Sequence, residues 1–171
     1  KETAIEHIQK LLVNSQVDEV IIVLGAYADQ IKPYLLNHKT IKVVYNKDYI
    51  FGQTSSFKIG LQHVSNNMDG FLLLPVDYPF IKEETVNKLI DHFRDNGSLI
   101  VIPSFEGIKG HPPLFSCSLK DEFLVLDNAS GLNSVAHNHQ HETKILPVSD
   151  RGVIQTFNTK AEFELLKISG R

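Results

Sequence analysis

The sequence predicts a three-layer α/β domain, with a mainly parallel sheet between helices on both faces. Continuous β-branched runs such as Val20–Leu24 are typical of strands buried on both sides, as in a parallel sheet. These runs alternate with segments of helical periodicity, which favours right-handed βαβ units. After Pro103 the rhythm changes to short strand candidates separated by loops. The C-terminal half is therefore expected to add antiparallel strands that build one wall of a pocket.

The individual elements follow from the same patterns. Apolar residues at helical spacing predict helices at 2–14, at 29–37, from Ser55 to about Val64, around 86–93 and at 161–166. Ser55 and Ser56 are expected to cap the third of these helices, and Gly97 is expected to end the fourth. Short apolar runs predict strands at 20–24, 41–45, 71–74, 99–102, 114–115, 144–148 and 153–157. No repeat, low-complexity tract or linker interrupts the chain, so we predict one domain over residues 1–171.

Composition narrows the class of protein. The chain has 171 residues, of which 42% are hydrophobic and 22% charged, as in ordinary globular domains. A net charge of −3 provides no basic field for nucleic-acid phosphates. The longest apolar runs are far too short to span a bilayer. Cys117 is the single cysteine, which excludes an intramolecular disulfide and suits a reducing compartment. We expect a cytoplasmic protein that binds small molecules.

Asp77 is the first candidate site residue. Ligands of open parallel sheets bind at the carboxyl ends of the strands, and Asp77 follows the predicted strand at 71–74. Pro75 and Pro79 flank it and restrict the local backbone, which suits a carboxylate that must keep one direction. A hard cation such as Mg²⁺ is bound by one or two carboxylates together with phosphate oxygens. The alternative is that Asp77 only caps the following turn.

Two loops are further candidates. Gly52-Gln53-Thr54-Ser55-Ser56 combines a glycine, which lets the backbone approach a ligand, with hydroxyls and N–H groups at a helix start. The same composition also fits a plain helix-start loop. In the second loop, Gly110, Pro112 and Pro113 hold His111 rigidly, although a lone loop histidine is more often a surface residue.

His137, His139 and His141 form a third cluster, for which a zinc site is conceivable. No cysteine or carboxylate cluster lies beside them in the sequence, and their neighbours are polar. We therefore favour a solvated loop.

Five motifs, in order, resemble one family. They are the strand and glycine at 20–25, Asn46 with Gly52–Phe57 and Gly60-Leu61, Pro75–Pro79, Gly110-His111-Pro112-Pro113-Leu114-Phe115, and Phe157-Asn158-Thr159. Together they resemble the MobA-like nucleotidyltransferases, from Lys1 to about Leu166. The Gly-His-Pro segment is similar to that of the subgroup that includes molybdenum-cofactor cytidylyltransferases.

The resemblance implies a fold, a reaction and a set of roles. The fold is the Rossmann-like one of nucleotide-diphospho-sugar transferases. The reaction transfers a nucleotide, with CTP as the favoured donor, to a phosphorylated partner, in this subgroup a pterin cofactor, and releases pyrophosphate. The implied roles are Asp77 as the catalytic residue, Asp77 and Asn158 as Mg²⁺ ligands, Gly25, Gly52, Gln53, Thr54, Ser55 and Ser56 at the nucleotide, and Gly110, His111 and Pro112 at the second substrate.

Two departures keep the second substrate open. Val76 stands where the family's metal loop has glycine, and Asn133 stands where the subgroup often has arginine. Loss of that positive charge leaves a sugar-phosphate nucleotidyltransferase as an alternative. A non-catalytic cofactor carrier or maturation factor is a second alternative.

A further departure concerns the start of the sequence. The family's Leu-Ala-Ala-Gly-x-Ser-x-Arg-Met-Gly segment forms a central strand and the loop around the triphosphate, and the resemblance begins after it, at Lys1. We expect the native protein to have that segment, and no catalysis without it. Without the strand, its two neighbours in the sheet are expected to have unpaired edges.

Overall fold

The computed structural model describes residues 2–169, in which helices and strands alternate. The α-helices are α1 (Ala4–Asn14), α2 (Ala28–Ile31), α3 (Gln53–Gln62), α4 (Glu83–Asn96), α5 (Lys120–Leu124), α6 (Asn133–Asn138) and α7 (Lys160–Ser169). The strands are β1 (Val20–Leu24), β2 (Ile41–Tyr45), β3 (Gly70–Leu72), β4 (Ile100–Phe105), β5 (Ile108–Lys109), β6 (Leu114–Ser116) and β7 (Thr143–Pro147). No helix in this part of the chain combines the length and apolar character needed to cross a membrane.

The strands form two groups. β1 and β2 pair in parallel. In the second group β6 lies between β3 and β4 and is antiparallel to both, so β3 and β4 run in the same direction. β7 pairs in parallel with β4, and β5 forms a short hairpin with β4. The predicted combination of parallel strands with antiparallel additions in the C-terminal half is confirmed.

Helices cover both faces of the second group. On one face, Ile100 and Phe115 pack with Leu61 of α3, Phe123 of α5 and Val135 of α6. On the other face, the next residue of β4, Val101, packs with Val86 and Leu89 of α4. Adjacent strand residues therefore point to opposite helical layers, as the alternation of a strand requires. The three-layer architecture is confirmed.

Several element boundaries agree with the sequence patterns. Thr3 and Glu6 form a reciprocal capping box at the start of α1, which satisfies two backbone N–H groups that would otherwise have no partner. α4 ends at Gly97, whose φ of 58° places it in the left-handed conformation that glycine adopts without strain.

Other boundaries differ. α3 begins at Gln53 after Gly52, so Ser55 and Ser56 lie inside its first turn and do not cap it. The helix predicted at 29–37 is split into α2 and a 3₁₀ turn, Lys32–Tyr34. β3 ends at Leu72, two residues before the predicted end.

The strand predicted at 153–157 is wrong, because Arg151–Ile154 forms a 3₁₀ helix. The cause is local. The Asp150 side chain accepts a hydrogen bond from the Gly152 N–H at 2.9 Å and bends the chain into a turn.

A cavity of about 450 Å³ separates the two groups of strands. It is bounded by β1 on one side and by β3 on the other, with α1 and α4 above one face and α3 above the other, and its lining is mostly apolar. Among the described residues β1 pairs only with β2, and β3 pairs only with β6. Two unpaired strand edges therefore face each other across the cavity.

Candidate functional site

Several of the candidate residues lie in the loops that follow the carboxyl ends of β1, β2 and β3. Beyond β3 the chain continues to Pro75, and the Tyr78 N–H donates to the Pro75 carbonyl at 3.2 Å, which closes a turn around Asp77. Earlier in the same segment, the Leu73 N–H donates to the Pro113 carbonyl at 3.1 Å. This backbone bond ties the Asp77 turn to the loop that carries His111.

The Asp77 carboxylate does not bond within its own turn. Its Oδ2 accepts a hydrogen bond from the Thr156 hydroxyl at 2.8 Å, across 79 positions of sequence. Its Oδ1 accepts none from residues 2–169. Asn158 follows Thr156 by two residues and has an exposed side chain, while its backbone N–H donates to Glu162 at 2.6 Å. The segment carrying Asn158 therefore passes beside Asp77, and Thr156 is the residue of that segment in contact with the carboxylate.

His111 lies against the Asp77 turn. Its ring and that of Tyr78 have centroids 4.4 Å apart. Burial lowers the pKa of His111, although a hydrogen bond to the Leu73 backbone and the nearby Asp77 carboxylate act in the opposite direction. Within the described chain, the buried Nδ1 has no hydrogen-bond partner. The lowered pKa favours a neutral ring at pH 7, and one of its nitrogens is buried without a partner among the described residues.

The loop at 52–56 is held by Asn46, which is only 3% exposed. The Asn46 Nδ2 donates to the hydroxyls of Ser55 and Ser56 at 2.9 and 3.0 Å. Thr54 is also buried, and its hydroxyl donates to the Ser130 carbonyl at 2.9 Å. These side chains therefore shape the loop. Gln53 has an exposed side chain with no hydrogen bond to the described residues, so it is a polar group of this loop that a ligand could bond.

Gly25 lies where β1 ends and supports the same loop region. A Cβ at this position would lie 2.6 Å from the Tyr49 Cβ, so only glycine lets the segment after β2 pack over the end of β1. The cavity between β1 and β3 connects this region with the Asp77 turn, because Gln53 and Ser56 line it on one side and Pro75 and Val76 on the other.

The residues around Asp77 fit a divalent cation that also takes phosphate oxygens. Among residues 2–169 no three His, Cys, Asp or Glu side chains are arranged to hold a metal ion by themselves. One carboxylate oxygen without a partner is nevertheless the minimum that Mg²⁺ or Mn²⁺ needs from a protein when a nucleotide supplies the other ligands. The donor set therefore favours a cation that binds together with the nucleotide.

The histidine cluster differs from its sequence-based interpretation, because carboxylates do lie beside it. The His139 Nε2 lies 2.7 Å from Glu122, and its Nδ1 lies 3.0 Å from Glu142. These bonds raise the pKa of His139. The hydrogen bond with His139 lowers the pKa of Glu122. The cluster joins α6 to α5, and its geometry is that of an ion-pair network.

This network predicts a pH-dependent contribution to stability. Because the pKa of His139 is raised on folding, its contribution is complete below the ordinary histidine pKa of about 6.5 and is lost as the pH rises through the folded value. Because the pKa of Glu122 is lowered, its contribution is lost only in acid. His139→Gln should lower the Tm by about 1–3 °C at pH 6 and by less at pH 8.5, the effect being small because the groups are partly exposed.

Thermal unfolding of the wild type and His139→Gln at both pH values measures the difference. His141→Gln, at an exposed position of the same segment, is the control and should leave the Tm unchanged at both. An equal Tm loss at pH 6 and pH 8.5 for His139→Gln would show that the ion pairs are not the cause.

Together, the fold and the candidate residues define an α/β domain whose candidate site lies at the carboxyl ends of the strands. Residues 1–143 match the model of the MobA-like NTP transferase domain. The chain belongs to this family, as its motifs indicate. No curated protein sequence matches it.

Solved structures share the fold at low sequence identity. Rv0371c from Mycobacterium tuberculosis H37Rv, in complex with manganese, is 21% identical, with a TM-score of 0.75 over 96% of this chain and 86% of that one. A nucleotidyl transferase from Methanothermobacter thermautotroptrophicus is 19% identical, with a TM-score of 0.81 over 99% and 81%. The 4-diphosphocytidyl-2C-methyl-D-erythritol synthase from Anaerococcus prevotii is 16% identical, with a TM-score of 0.77 over 98% and 86%. These similarities confirm the nucleotide-diphospho-sugar transferase type of fold.

Proposed function

We propose that the protein transfers a nucleotide from a nucleoside triphosphate, with CTP favoured, to a phosphorylated small molecule and releases pyrophosphate. The observation that carries this proposal is the Asp77 carboxylate, which belongs to a MobA-like domain and has one oxygen without a partner among residues 2–169. It lies in the turn beyond β3, and the preceding residues Pro75 and Val76 line the same cavity as Gln53 and Ser56 of the 52–56 loop.

In the proposed reaction, a phosphate oxygen of the second substrate bonds to the α-phosphorus. The bond between that phosphorus and the oxygen bridging to the β-phosphate breaks, and its electron pair leaves with pyrophosphate. The nucleophile is already an anion, so the protein contributes positioning and charge compensation rather than a base. Asp77, with Asn158 nearby in the chain, would hold a divalent cation that neutralises charge on the phosphates. The manganese complex of a structural relative supports a divalent cation here.

The 52–56 loop is proposed to receive the nucleotide. The N–H groups at the start of α3 face the carboxyl side of the sheet, and a helix N-terminus favours anionic or hydrogen-bond-accepting groups. The Gln53 amide is free to bond a base edge. Thr54, Ser55 and Ser56 act by holding the loop in shape, and Gly25 by letting Tyr49 pack close to β1.

The loop of Gly110, His111 and Pro112 is proposed to receive the second substrate. The His111 ring and the Tyr78 ring, whose centroids lie 4.4 Å apart, would form one wall of this site. The Gly-His-Pro motif supports the molybdenum-cofactor type of acceptor. The similarity to a 4-diphosphocytidyl-2C-methyl-D-erythritol synthase favours the alternative, a sugar-phosphate acceptor.

We further propose that an extended apolar segment fills the cavity between β1 and β3 in the active protein. A strand there would offer hydrogen-bond partners to the edges of β1 and β3, which have none among the described strands. Its carboxyl end would emerge between Gly25 and Asp77, where the triphosphate is expected.

His111→Asn should raise the KM for the second substrate by roughly tenfold and leave the nucleotide Kd within about twofold, because a hydrogen-bonding ring at the acceptor wall is lost. Steady-state kinetics with the second substrate varied, together with nucleotide titration by calorimetry, separate the two effects. A fall in nucleotide affinity with an unchanged KM would show that the loop belongs to the nucleotide pocket.

The activity itself is tested by pyrophosphate release with Mg²⁺ or Mn²⁺. CTP, GTP, ATP and UTP are each combined with molybdopterin and with a panel of sugar phosphates. We expect release that requires both the cation and one acceptor class. Metal-dependent nucleotide binding without release for any acceptor would favour a non-catalytic carrier, and the absence of nucleotide binding would contradict the proposal.

A further inference from the structure

The segment 150–156, here called the strap, contacts both the Asp77 turn and the loop that carries His111. It follows β7, makes the 3₁₀ turn at Arg151–Ile154, and continues to Thr156. Neither composition nor motif assigned it a role. Its hydrogen bonds to other described segments lie at three points, at the start of α4, at His111 and at Asp77.

At its first end the strap is fixed by the buried Asp150, which is 4% exposed. The Asp150 Oδ2 accepts hydrogen bonds from the Lys82 N–H at 2.8 Å and from the Thr85 hydroxyl at 2.7 Å. Its Oδ1 accepts the Gly152 N–H at 2.9 Å. Two donors at the start of α4 and one within the strap therefore hold this carboxylate, and the start of the strap has little freedom to move.

In its middle the strap contacts, through backbone atoms, the loop of Gly110, His111 and Pro112, here called the acceptor loop. The His111 N–H donates to the carbonyl of the buried Val153 at 2.8 Å. A Cβ at Gly110 would lie 2.3 Å from that same carbonyl oxygen, and a Cβ at Gly152 would lie 2.1 Å from the Phe80 carbonyl oxygen. No side chain fits at either glycine. Gly110 therefore lets the acceptor loop contact the strap directly, and Gly152 lets the strap contact the backbone at Phe80.

At its far end the strap reaches Asp77 through the Thr156 hydroxyl, at 2.8 Å from Oδ2. A half-buried carboxylate with no other hydrogen bond from the described residues is free to rotate about its side-chain torsions. A hydroxyl that donates to one oxygen favours a single orientation and leaves the other oxygen to accept a ligand. The anchors at Asp150 and Val153 keep that hydroxyl in place.

We propose that Thr156 is a positioning residue that orients the Asp77 carboxylate for a divalent cation, with the strap as its rigid support. This proposal rests on the proposed function, because it assigns a partner to the same carboxylate. It differs from a surface hydrogen bond that only adds stability. A stabilising bond changes the Tm, whereas a positioning bond changes cation affinity at constant Tm.

The test compares Thr156→Val, which removes the hydroxyl at nearly constant shape, with Thr156→Ser, which retains it. Mn²⁺ binding in the presence of CTP is measured by the loss of the free-ion electron paramagnetic resonance signal, and pyrophosphate release is measured as Mn²⁺ is varied. Thr156→Val should weaken Mn²⁺ binding about tenfold, as loss of a partner that orients a metal ligand commonly does. Thr156→Ser should stay within about twofold of the wild type. High Mn²⁺ should restore most of the activity of Thr156→Val, and both variants should keep the wild-type Tm.

Wild-type Mn²⁺ affinity in Thr156→Val would overturn the proposal, and so would an equal loss in both variants, which would assign the effect to the methyl group. In either case the wild-type protein still binds Mn²⁺ with CTP, and the proposed function stands. Failure of the wild type itself to bind Mn²⁺ with CTP would instead contradict the proposed function, and the role of Thr156 with it.

Discussion

Asp77→Ala is expected to lower turnover at least roughly 100-fold, because loss of a group that neutralises transition-state charge has effects of this size. The free energy of unfolding should change by no more than about 1 kcal/mol. The only hydrogen bond that Asp77 accepts from the described residues comes from the exposed Thr156, and water can replace such an exposed bond, so its loss changes stability little. Pyrophosphate release and urea unfolding measure the two quantities.

Asp77→Asn and Asp95→Ala are the matched variants. Asp77→Asn keeps the shape of the side chain and removes its charge, so it should lose as much turnover as Asp77→Ala. Asp95 is an exposed carboxylate on α4, and its removal should leave turnover unchanged. Wild-type turnover in Asp77→Ala would remove this residue from the mechanism, and full turnover in Asp77→Asn would exclude a role for its charge.

Gly110→Ala is expected to destabilise the protein by roughly 2–4 kcal/mol, because the added Cβ would meet the Val153 backbone and force the strap away. The Cβ would lie 2.3 Å from the Val153 carbonyl oxygen and 2.7 Å from its carbon. Use of the second substrate should fall as well, since the His111 backbone bonds to the same carbonyl. The urea midpoint and the KM for the second substrate are the measurements.

Gly131→Ala is the control for this variant. A Cβ at Gly131 would have no atom within 4 Å, so the same chemical change should alter the free energy of unfolding by less than about 0.5 kcal/mol. If both variants unfold at the same urea concentration, the close contact between the acceptor loop and the strap is not a constraint on the fold.

Much of the sheet could be predicted because its signals are local. Val20–Leu24 is a continuous apolar run and Ile41–Tyr45 is apolar except for Lys42, and both form parallel strands, while Gly97 ends α4 through its own backbone preference. The failures involve interactions that periodicity does not describe. The pattern at 153–157 looked like a strand, but the buried Asp150 carboxylate turns the chain there through hydrogen bonds to α4 and Gly152.

The candidate site was predictable to a similar extent. Asp77 came from the rule that ligands bind at strand ends and His111 from the rigid loop around it, and the structure brings the two segments together, with the Tyr78 ring against His111. Thr156 was missed because its partner lies 79 positions away and the bond is exposed. One signal was present, since Thr156 precedes Asn158 by two residues and such residues share a face of an extended segment. The pairing of His139 with Glu122, 17 positions apart, was missed for the same reason.

The central claim is that the free oxygen of Asp77 binds a divalent cation together with a nucleotide. A crystal structure of the protein with Mn²⁺ and CTP, with the ion located by its anomalous scattering, tests this claim most directly. We predict an anomalous peak at coordination distance from the Asp77 Oδ1, about 2.1–2.2 Å, with phosphate oxygens as its other ligands. A bound nucleotide whose cation lies away from Asp77 would contradict the account.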